Sequence, residues 1–148
     1  MMNKIDIFYA DDDEDDLMFF NEAIEKISRE IKTKITLHIH RNGEKLIENI
    51  RKHKDAKGVL FLDINMPFKT GFQLLEEIRT EPEIKLFPVV MYSTSSNQDN
   101  IDKSKSLGAN FYIVKPYSFN NLMDILSNFI TMDWQNHQPE KNNFLYKG

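Results

Sequence analysis

The chain contains no cysteine, which excludes disulfide bonds, zinc–thiolate sites and thiol catalysis. It also lacks long hydrophobic runs, because even a run such as residues 87–92 is far too short to span a bilayer. The first residues lead straight into a strand-like run, without the charged, apolar and small-residue regions of a secretory signal. We therefore expect a cytoplasmic protein without membrane association.

A strong positive charge is absent as well. The formal net charge is −4, so nothing predicts a general affinity for nucleic acid or for anionic membranes. Hydrophobic residues make up 41% and charged residues 28% of the chain, as in an ordinary soluble globular protein. Its 148 residues favour a single domain with a core of normal size. We expect that domain over residues 4–132, followed by a short polar tail over residues 133–148.

Five short runs rich in β-branched and aromatic residues predict strands, at residues 5–10, 35–40, 58–62, 88–92 and 110–114. Four of these runs are continuous or nearly so, which is typical of buried parallel strands. The second run alternates between apolar and polar residues, so we expect a half-exposed strand at an edge of the sheet.

Helical patterns fill the intervals between the predicted strands. Apolar residues recur at steps of three and four between Leu17 and Ile31, and a later helix should end before Pro82. Ser96 predicts a capping box for a polar helix ending near Gly108, and Ser118 predicts the cap of the last helix. The alternation predicts an α/β fold, (βα)5, doubly wound around a five-stranded parallel sheet with helices on both faces.

Polar side chains follow four of the predicted strands at their carboxyl ends, where an open parallel sheet binds ligands. The residues are Asp11 and Asp12 after the first strand, Asp63 after the third, Ser93 and Thr94 after the fourth, and Lys115 after the fifth. One edge of the sheet should therefore gather at least three carboxylates, a hydroxyl group and an ammonium group.

These groups share one coherent chemistry. Clustered carboxylates repel one another, and a hard cation such as Mg²⁺ relieves that repulsion. A carboxylate can attack phosphorus to give an acyl phosphate, and a cation, a lysine and a hydroxyl can neutralise the three equatorial oxygens. The pattern thus indicates Mg²⁺-dependent phosphoryl transfer.

Several segments in this order resemble the response-regulator receiver family of two-component signalling: residues 7–12, 60–67, 71, 88–93 and 112–116. The resemblance covers residues 4–132 and implies the flavodoxin-like strand order 2-1-3-4-5. It implies that Asp63 is the phospho-acceptor. It also implies that Asp12, Asp63 and the backbone carbonyl of Asn65 bind Mg²⁺, with Asp11 acting through water. Mn²⁺ could substitute for Mg²⁺.

The resemblance further implies a switch protein that catalyses only its own phosphorylation and dephosphorylation, and is not an enzyme with other substrates. Ser93 would move towards the phosphoryl group, Lys115 would pair with it, and Tyr112 would turn inward. The bond between Lys115 and Pro116 is often cis in this family. Thr94 departs from the family pattern, which usually has a smaller residue there, and would narrow access to the site.

The expected partner is a sensor histidine kinase or a phosphotransfer protein, because no histidine of this chain lies in a kinase-like box. The downstream protein target is unknown, and the tail is too short for an output domain. Phosphorylation should rearrange the face formed by helix 4, strand 5 and helix 5. A homodimer through that face or the tail stays open. The loop of residues 66–71 and the ending around Trp134 are similar to free-standing receivers paired with phytochrome-type sensor kinases.

Four other interpretations fit parts of the same pattern. A haloacid-dehalogenase-like phosphatase uses similar groups, but its nucleophile comes first in the chain and its acidic pair last. A pseudo-receiver would bind partners without taking phosphate. A calcium loop would use acidic residues at its positions 1, 3, 5 and 12, which would be Asp11, Asp13, Asp15 and Glu22. Lastly, residues 13–16 read as a solvated loop that favours the positive end of the next helix.

The four histidines give little information about function. His38 and His40 lie on one face of the second predicted strand and could share a metal ion, but the pattern favours a partly exposed pair without function. His53 and His137 show no informative spacing.

Overall fold

A computed structural model describes residues 3–132, 134 and 144–146. Its centre is a six-stranded sheet in the order β2-β1-β3-β4-β5-β6, in which every neighbouring pair is parallel. The strands are β1 (Asn3–Ala10), β2 (Thr33–His40), β3 (Gly58–Leu62), β4 (Val89–Ser93), β5 (Phe111–Val114) and β6 (Leu145–Tyr146). The helices are α1 (Glu14–Glu30), α2 (Leu46–Lys52), α3 (Gly71–Thr80), α4 (Gln98–Ser106) and α5 (Phe119–Thr131).

The alternation of strands and helices, the strand order 2-1-3-4-5 and the edge position of β2 confirm the sequence prediction. The short strand β6 was not predicted. It pairs with β5, and the preceding Phe144 is buried, with its backbone carbonyl accepting a hydrogen bond of 2.9 Å from the Tyr112 N–H. Apart from Trp134, the rest of the predicted tail lies outside the described residues.

Two hydrophobic layers sandwich the sheet, because residues along each strand alternate between its two faces. Ile5, Ile7 and Tyr9 of β1 face α1 and α5, whereas Phe8 and Ala10 face α2, α3 and α4. Both faces of the central strands are thus covered, which explains why their sequences read as continuous apolar runs.

Local signals fix most of the helix ends. The side chain of Asp13 accepts hydrogen bonds from the N–H groups of Asp15 and Asp16, and α1 therefore begins at Glu14. Ser118 caps α5 as predicted. The predicted cap of α4 at Ser96 is wrong: Asn97 caps it, because the Asn97 side chain accepts the hydrogen bond from Asp99 N–H at 2.7 Å.

Arg79, near the end of α3, ties together three segments of the α3–α4 side. Its guanidinium donates hydrogen bonds to the Gly108 carbonyl at 2.8 Å, the Phe87 carbonyl at 2.7 Å and the Asn110 side chain at 2.9 Å. Asn110 in turn accepts a bond from the Val89 N–H. The start of β4 and the approach to β5 are therefore fixed to α3 by one planar group.

Within the described part of the chain, no helix has both the length and the apolar character needed to cross a membrane.

Candidate functional site at the carboxyl edge of the sheet

Three carboxylates meet where β1 and β3 end. Asp11, Asp12 and Asp63 each offer an oxygen atom, and these atoms lie within 4.8 Å of one another. Asp11 and Asp63 are buried, and Asp12 is exposed. The Asp63 N–H donates to the Ala10 carbonyl at 3.0 Å, which extends the β1–β3 ladder by one residue. The parallel sheet therefore brings together carboxylates that are about fifty positions apart in the chain.

Asp11 is held by hydrogen bonds on both of its oxygens. Oδ2 accepts from the Tyr9 hydroxyl at 2.5 Å and from the Lys115 ammonium at 2.6 Å, and Oδ1 accepts from the Asp13 N–H at 3.0 Å. Burial, together with the neighbouring Asp11 charge, raises the pKa of Tyr9 far above its usual value. Tyr9 thus keeps its proton and acts as a donor.

Lys115 lies beside three carboxylates of the site, those of Asp11, Asp16 and Asp63. Its Nζ lies 2.6 Å from Asp11, 2.8 Å from Asp16 and 3.6 Å from Asp63, and only 8% of its side chain is exposed. Burial alone would lower the pKa of Lys115, but its bonds to Asp11 and Asp16 and the charge of Asp63 raise the pKa above the usual value. The lysine therefore stays charged.

Asp16 is a site residue that the sequence interpretation missed. Asp13 and Asp15 are exposed, as expected for a solvated acidic segment, but for Asp16 that expectation is wrong because it binds Lys115. Asp16 lies four residues before the buried Phe20, so it shares the inward side of α1. That spacing was the available signal.

The pKa of Asp63 is raised to about 6. Burial is the largest cause; Lys115 and a hydrogen bond from the Ile64 N–H lower the pKa, and the charges of Asp11 and Asp12 raise it. Without a bound cation, burying an ionised carboxylate beside two others destabilises the folded protein, because the charge loses hydration and the like charges repel. Clustered oxygen ligands of this kind fit a hard divalent cation, which would remove the cost.

Gly71 allows the start of α3 to touch the backbone of Asp63. A Cβ atom at this position would lie 2.2 Å from the Asp63 carbonyl oxygen and 2.9 Å from the Ile64 Cα, closer than atoms can approach. The Gly71 N–H donates to the Ile64 carbonyl at 2.7 Å. The intervening loop carries the exposed Asn65 and the exposed Phe68, whose φ of 71° lies in the left-handed region.

Two of the remaining predicted residues lie at the end of β4, where the Ser93 carbonyl accepts a hydrogen bond of 2.8 Å from the Lys115 N–H. Ser93 is buried, and its Oγ accepts a hydrogen bond of 3.1 Å from the Ser95 N–H. Thr94 is exposed next to it. The bond between Lys115 and Pro116 is trans, since no cis peptide occurs among the described residues, so the cis form that is frequent in the resembling family is not adopted.

Tyr112 is already fully buried, and its hydroxyl donates to the Ser95 carbonyl at 2.8 Å. The expectation that Tyr112 starts outside and turns inward therefore does not describe this conformation. The ring occupies the layer that faces α3 and α4, among Leu62, Met91 and Phe144.

The calcium-loop alternative is wrong. Asp13 is the cap of α1, and Asp15 and Glu22 belong to the helix itself. Their side chains cannot circle one ion as those of a twelve-residue loop do.

A family model described as response regulator receiver domain matches residues 7–127. Response regulator Rcp1 of Synechocystis sp. is 35% identical over 68 residues, which are 46% of either chain. The chemotaxis protein CheY of Pseudomonas aeruginosa is 37% identical over 66 residues, which are 45% of this chain and 53% of CheY. The chain thus spans about half the length of the relatives it matches.

Solved structures agree with this comparison. The crystal structure of the Mn(2+)-bound form of response regulator Rcp1 superposes with a TM-score of 0.71 at 25% identity, over 86% of this chain and 96% of Rcp1. The phosphorylated cyanobacterial phytochrome response regulator RcpA superposes with a TM-score of 0.69 at 28% identity, over 90% of this chain and 95% of RcpA. This agreement of sequence, fold and acidic pocket shows that the chain belongs to the response regulator receiver domain family of two-component signalling.

Proposed function

We propose that Asp63 accepts a phosphoryl group from a phosphohistidine on a partner histidine kinase or phosphotransfer protein. The observation that carries this proposal is the position of Asp63, which lies within 4.8 Å of two further carboxylates and 3.6 Å from Lys115. A receiver domain generally implies a histidine kinase as its partner. The downstream target is a protein that binds the switched surface.

The reaction needs an ionised Asp63. One carboxylate oxygen attacks phosphorus, the bond between phosphorus and the donor imidazole breaks, and its electron pair returns to that imidazole. The product is an acyl phosphate on Asp63. With a pKa of about 6, Asp63 is mostly ionised at neutral pH and is therefore ready to attack.

Mg²⁺ would be held by Asp12, by Asp63 and by the backbone carbonyl of Asn65. Asp11 would act through water, because Tyr9 and Lys115 already occupy its Oδ2 oxygen. The cation supplies charge neutralisation for the phosphoryl oxygens. Mn²⁺ has the same preference for oxygen ligands and could substitute. The solved Mn(2+)-bound form of Rcp1 supports this choice.

The position of Lys115 would allow its ammonium group to exchange an ion pair with Asp16 for one with a phosphorylated Asp63. It is bound to Asp11 and Asp16 at 2.6 and 2.8 Å and is farther from Asp63, at 3.6 Å. A phosphoryl group on Asp63 adds negative charge on that side of the ammonium. Lys115 would then move from Asp16 towards the new oxygens, keeping Asp11 as its anchor.

Ser93 would carry the signal out of the site. Its Oγ accepts from the Ser95 N–H in the unphosphorylated pocket, and donation to a phosphoryl oxygen would draw it away. Ser95 bonds to Tyr112 through its carbonyl, and its Oγ accepts from the Asn100 side chain of α4 at 3.0 Å. A shift of Ser95 would therefore rearrange the α4–β5–α5 face without an inward turn of Tyr112.

An Asp63→Asn variant tests the acceptor. It should incorporate no phosphate from acetyl phosphate with Mg²⁺, as measured by intact mass, whereas an Asp55→Asn control at an exposed position should behave like the wild type. Incorporation at the wild-type level by Asp63→Asn would contradict the proposal. A wild-type protein that takes no phosphate from acetyl phosphate or from any histidine kinase would instead support the pseudo-receiver alternative.

The phosphatase alternative predicts repeated turnover on a generic phosphate ester. We expect none beyond the stoichiometric phosphorylation of Asp63, because the acidic pair precedes the acceptor in the order of the receiver family.

A further inference from the structure

We propose that His38, His53 and Asp6 form a second metal site, which binds a transition-metal ion of the Zn²⁺ class. Each residue offers one ligand atom, and these atoms lie within 4.8 Å of one another. Asp6 belongs to β1, His38 belongs to the edge strand β2, and His53 ends α2. None of the three takes part in the phosphorylation proposed for Asp63.

The two strands place the first pair of ligands. Asp6 is opposite Thr36 and His38 is opposite Phe8, so Asp6 and His38 are diagonal neighbours on one face of the sheet. His38 Nε2 lies 3.0 Å from Asp6 Oδ1. Ligand atoms around a tetrahedral Zn²⁺ lie about 3.3 Å apart, so a metal ion could take the place of the shared proton with little movement.

A backbone carbonyl decides which nitrogen of His53, the third ligand, is free to bind a metal ion. His53 Nδ1 lies 2.9 Å from the Asn49 carbonyl oxygen, which can only accept a hydrogen bond. Nδ1 must therefore carry a proton, and in the neutral ring Nε2 carries the lone pair. A ligand histidine that donates its other N–H to a carbonyl is the usual arrangement at protein metal sites.

Aromatic packing holds the two imidazoles. The Phe8 ring stacks on His38 with centroids 4.4 Å apart and an angle of 12°, and it meets the His53 ring at 5.8 Å. The His38 and Asp6 side chains are 16% and 17% exposed, so the group has an apolar wall on one side and access to solvent on the other. A water molecule could supply the fourth ligand.

The donor set selects the metal. Two imidazole nitrogens and one carboxylate oxygen suit Zn²⁺, Co²⁺, Ni²⁺ or Cu²⁺, whereas Mg²⁺ and Ca²⁺ prefer oxygen ligands alone. The site therefore differs in kind from the all-oxygen group of Asp11, Asp12 and Asp63. Binding would release the proton that His38 Nε2 now shares with Asp6.

The sequence suggested His40 as the residue that could share a metal ion with His38, whereas the structure groups His38 with His53 and Asp6. His40 Nε2 contacts the Asn49 side chain at 2.9 Å, and His40 is not among the three grouped ligands. His40 thus provides a matched control on the same strand, two residues away.

The test is calorimetric titration of the full chain with Zn²⁺ in excess Mg²⁺, which competes for the all-oxygen group. Every variant carries His137→Gln as well, because that histidine lies outside the described residues and its own binding of Zn²⁺ must be removed. The protein with His137→Gln alone is the reference. We expect one Zn²⁺ per chain, with the affinity reduced at least tenfold by His38→Gln and by His53→Gln and unchanged by His40→Gln. Co²⁺ should give the visible absorption of a low-coordinate nitrogen and oxygen site, which the same two variants lose.

Far-UV circular dichroism and cooperative thermal unfolding establish that each variant is folded. If His38→Gln is not folded, His53→Gln at the helix end decides the outcome. The proposal is overturned if the wild type binds no Zn²⁺ in excess Mg²⁺. It is equally overturned if folded His53→Gln binds Zn²⁺ as tightly as His40→Gln does.

Discussion

Replacing the proposed acceptor should make the metal-free protein more stable. Asp63 is buried and ionised at neutral pH, and its pKa is raised from 3.8 to about 6. Asparagine has nearly the same shape and carries no charge. Asp63→Asn should therefore raise the free energy of unfolding, although it abolishes the proposed function.

The magnitude follows from linkage. One pKa unit corresponds to about 1.4 kcal/mol, so an ionised Asp63 costs the folded state about 3 kcal/mol relative to its protonated form. For an acid whose pKa is raised by folding, the cost is absent below pH 3.8, grows between pH 3.8 and about 6, and is complete above that. The advantage of the variant should thus be about 3 kcal/mol at pH 7.5 and should vanish at pH 3.8 and below.

Urea unfolding followed by circular dichroism at several pH values measures this difference. The solutions contain a chelator, and Asp55→Asn serves as the exposed control, with a change below about 0.5 kcal/mol. Addition of Mg²⁺ should stabilise the wild type more than Asp63→Asn, which reverses part of the gap. If Asp63→Asn were only as stable as the wild type at pH 7.5, or less stable, the buried charge of Asp63 would not destabilise the folded protein and the prediction would be refuted.

Three further outcomes are expected. Gly71→Ala should cost about 1–3 kcal/mol in urea unfolding and slow acetyl-phosphate uptake, because its Cβ would collide with the Asp63 carbonyl; an unchanged protein would contradict this. Arg79→Met should cost about 3 kcal/mol or more by losing its bonds to Gly108, Phe87 and Asn110, while Arg29→Met at an exposed position should change little. Tyr112→Phe should take up phosphate normally but lose the phosphorylation-dependent change in amide hydrogen exchange of β5, because its hydrogen bond to the Ser95 carbonyl is lost; retention of that change would exclude this bond as the route to β5.

The acidic pocket could be predicted from the sequence because each of its carboxylates is marked by its immediate neighbours in the chain. Asp11, Asp12 and Asp63 directly follow buried apolar runs, and parallel strands bring their carboxyl ends to one edge. The strand order followed from the family resemblance, whereas the edge position of β2 was visible in its alternating pattern.

The contacts that were missed depend on tertiary packing. The direction of the Asp16 side chain depends on where α1 begins, and Asp13 sets that start as the cap. A start one residue earlier or later would rotate the side chain about the helix axis by about 100°. The proximity of His53 to His38 depends on how α2 ends against β2, and nothing in their spacing of fifteen residues predicts it. Strand β6 is only two residues long, which is too short for periodicity to reveal.

The backbone of β5 forms hydrogen-bonded ladders on both flanks, with β4 on one side and with Leu145–Tyr146 on the other. A protein that recognises this side of the domain therefore cannot add a strand directly beside β5 unless β6 first leaves. It must recognise side chains instead, and those of β6 are part of the surface that it contacts. Loss of the pairing between residues 144–146 and β5 would thus change the surface that a partner protein contacts, even with the acidic pocket intact.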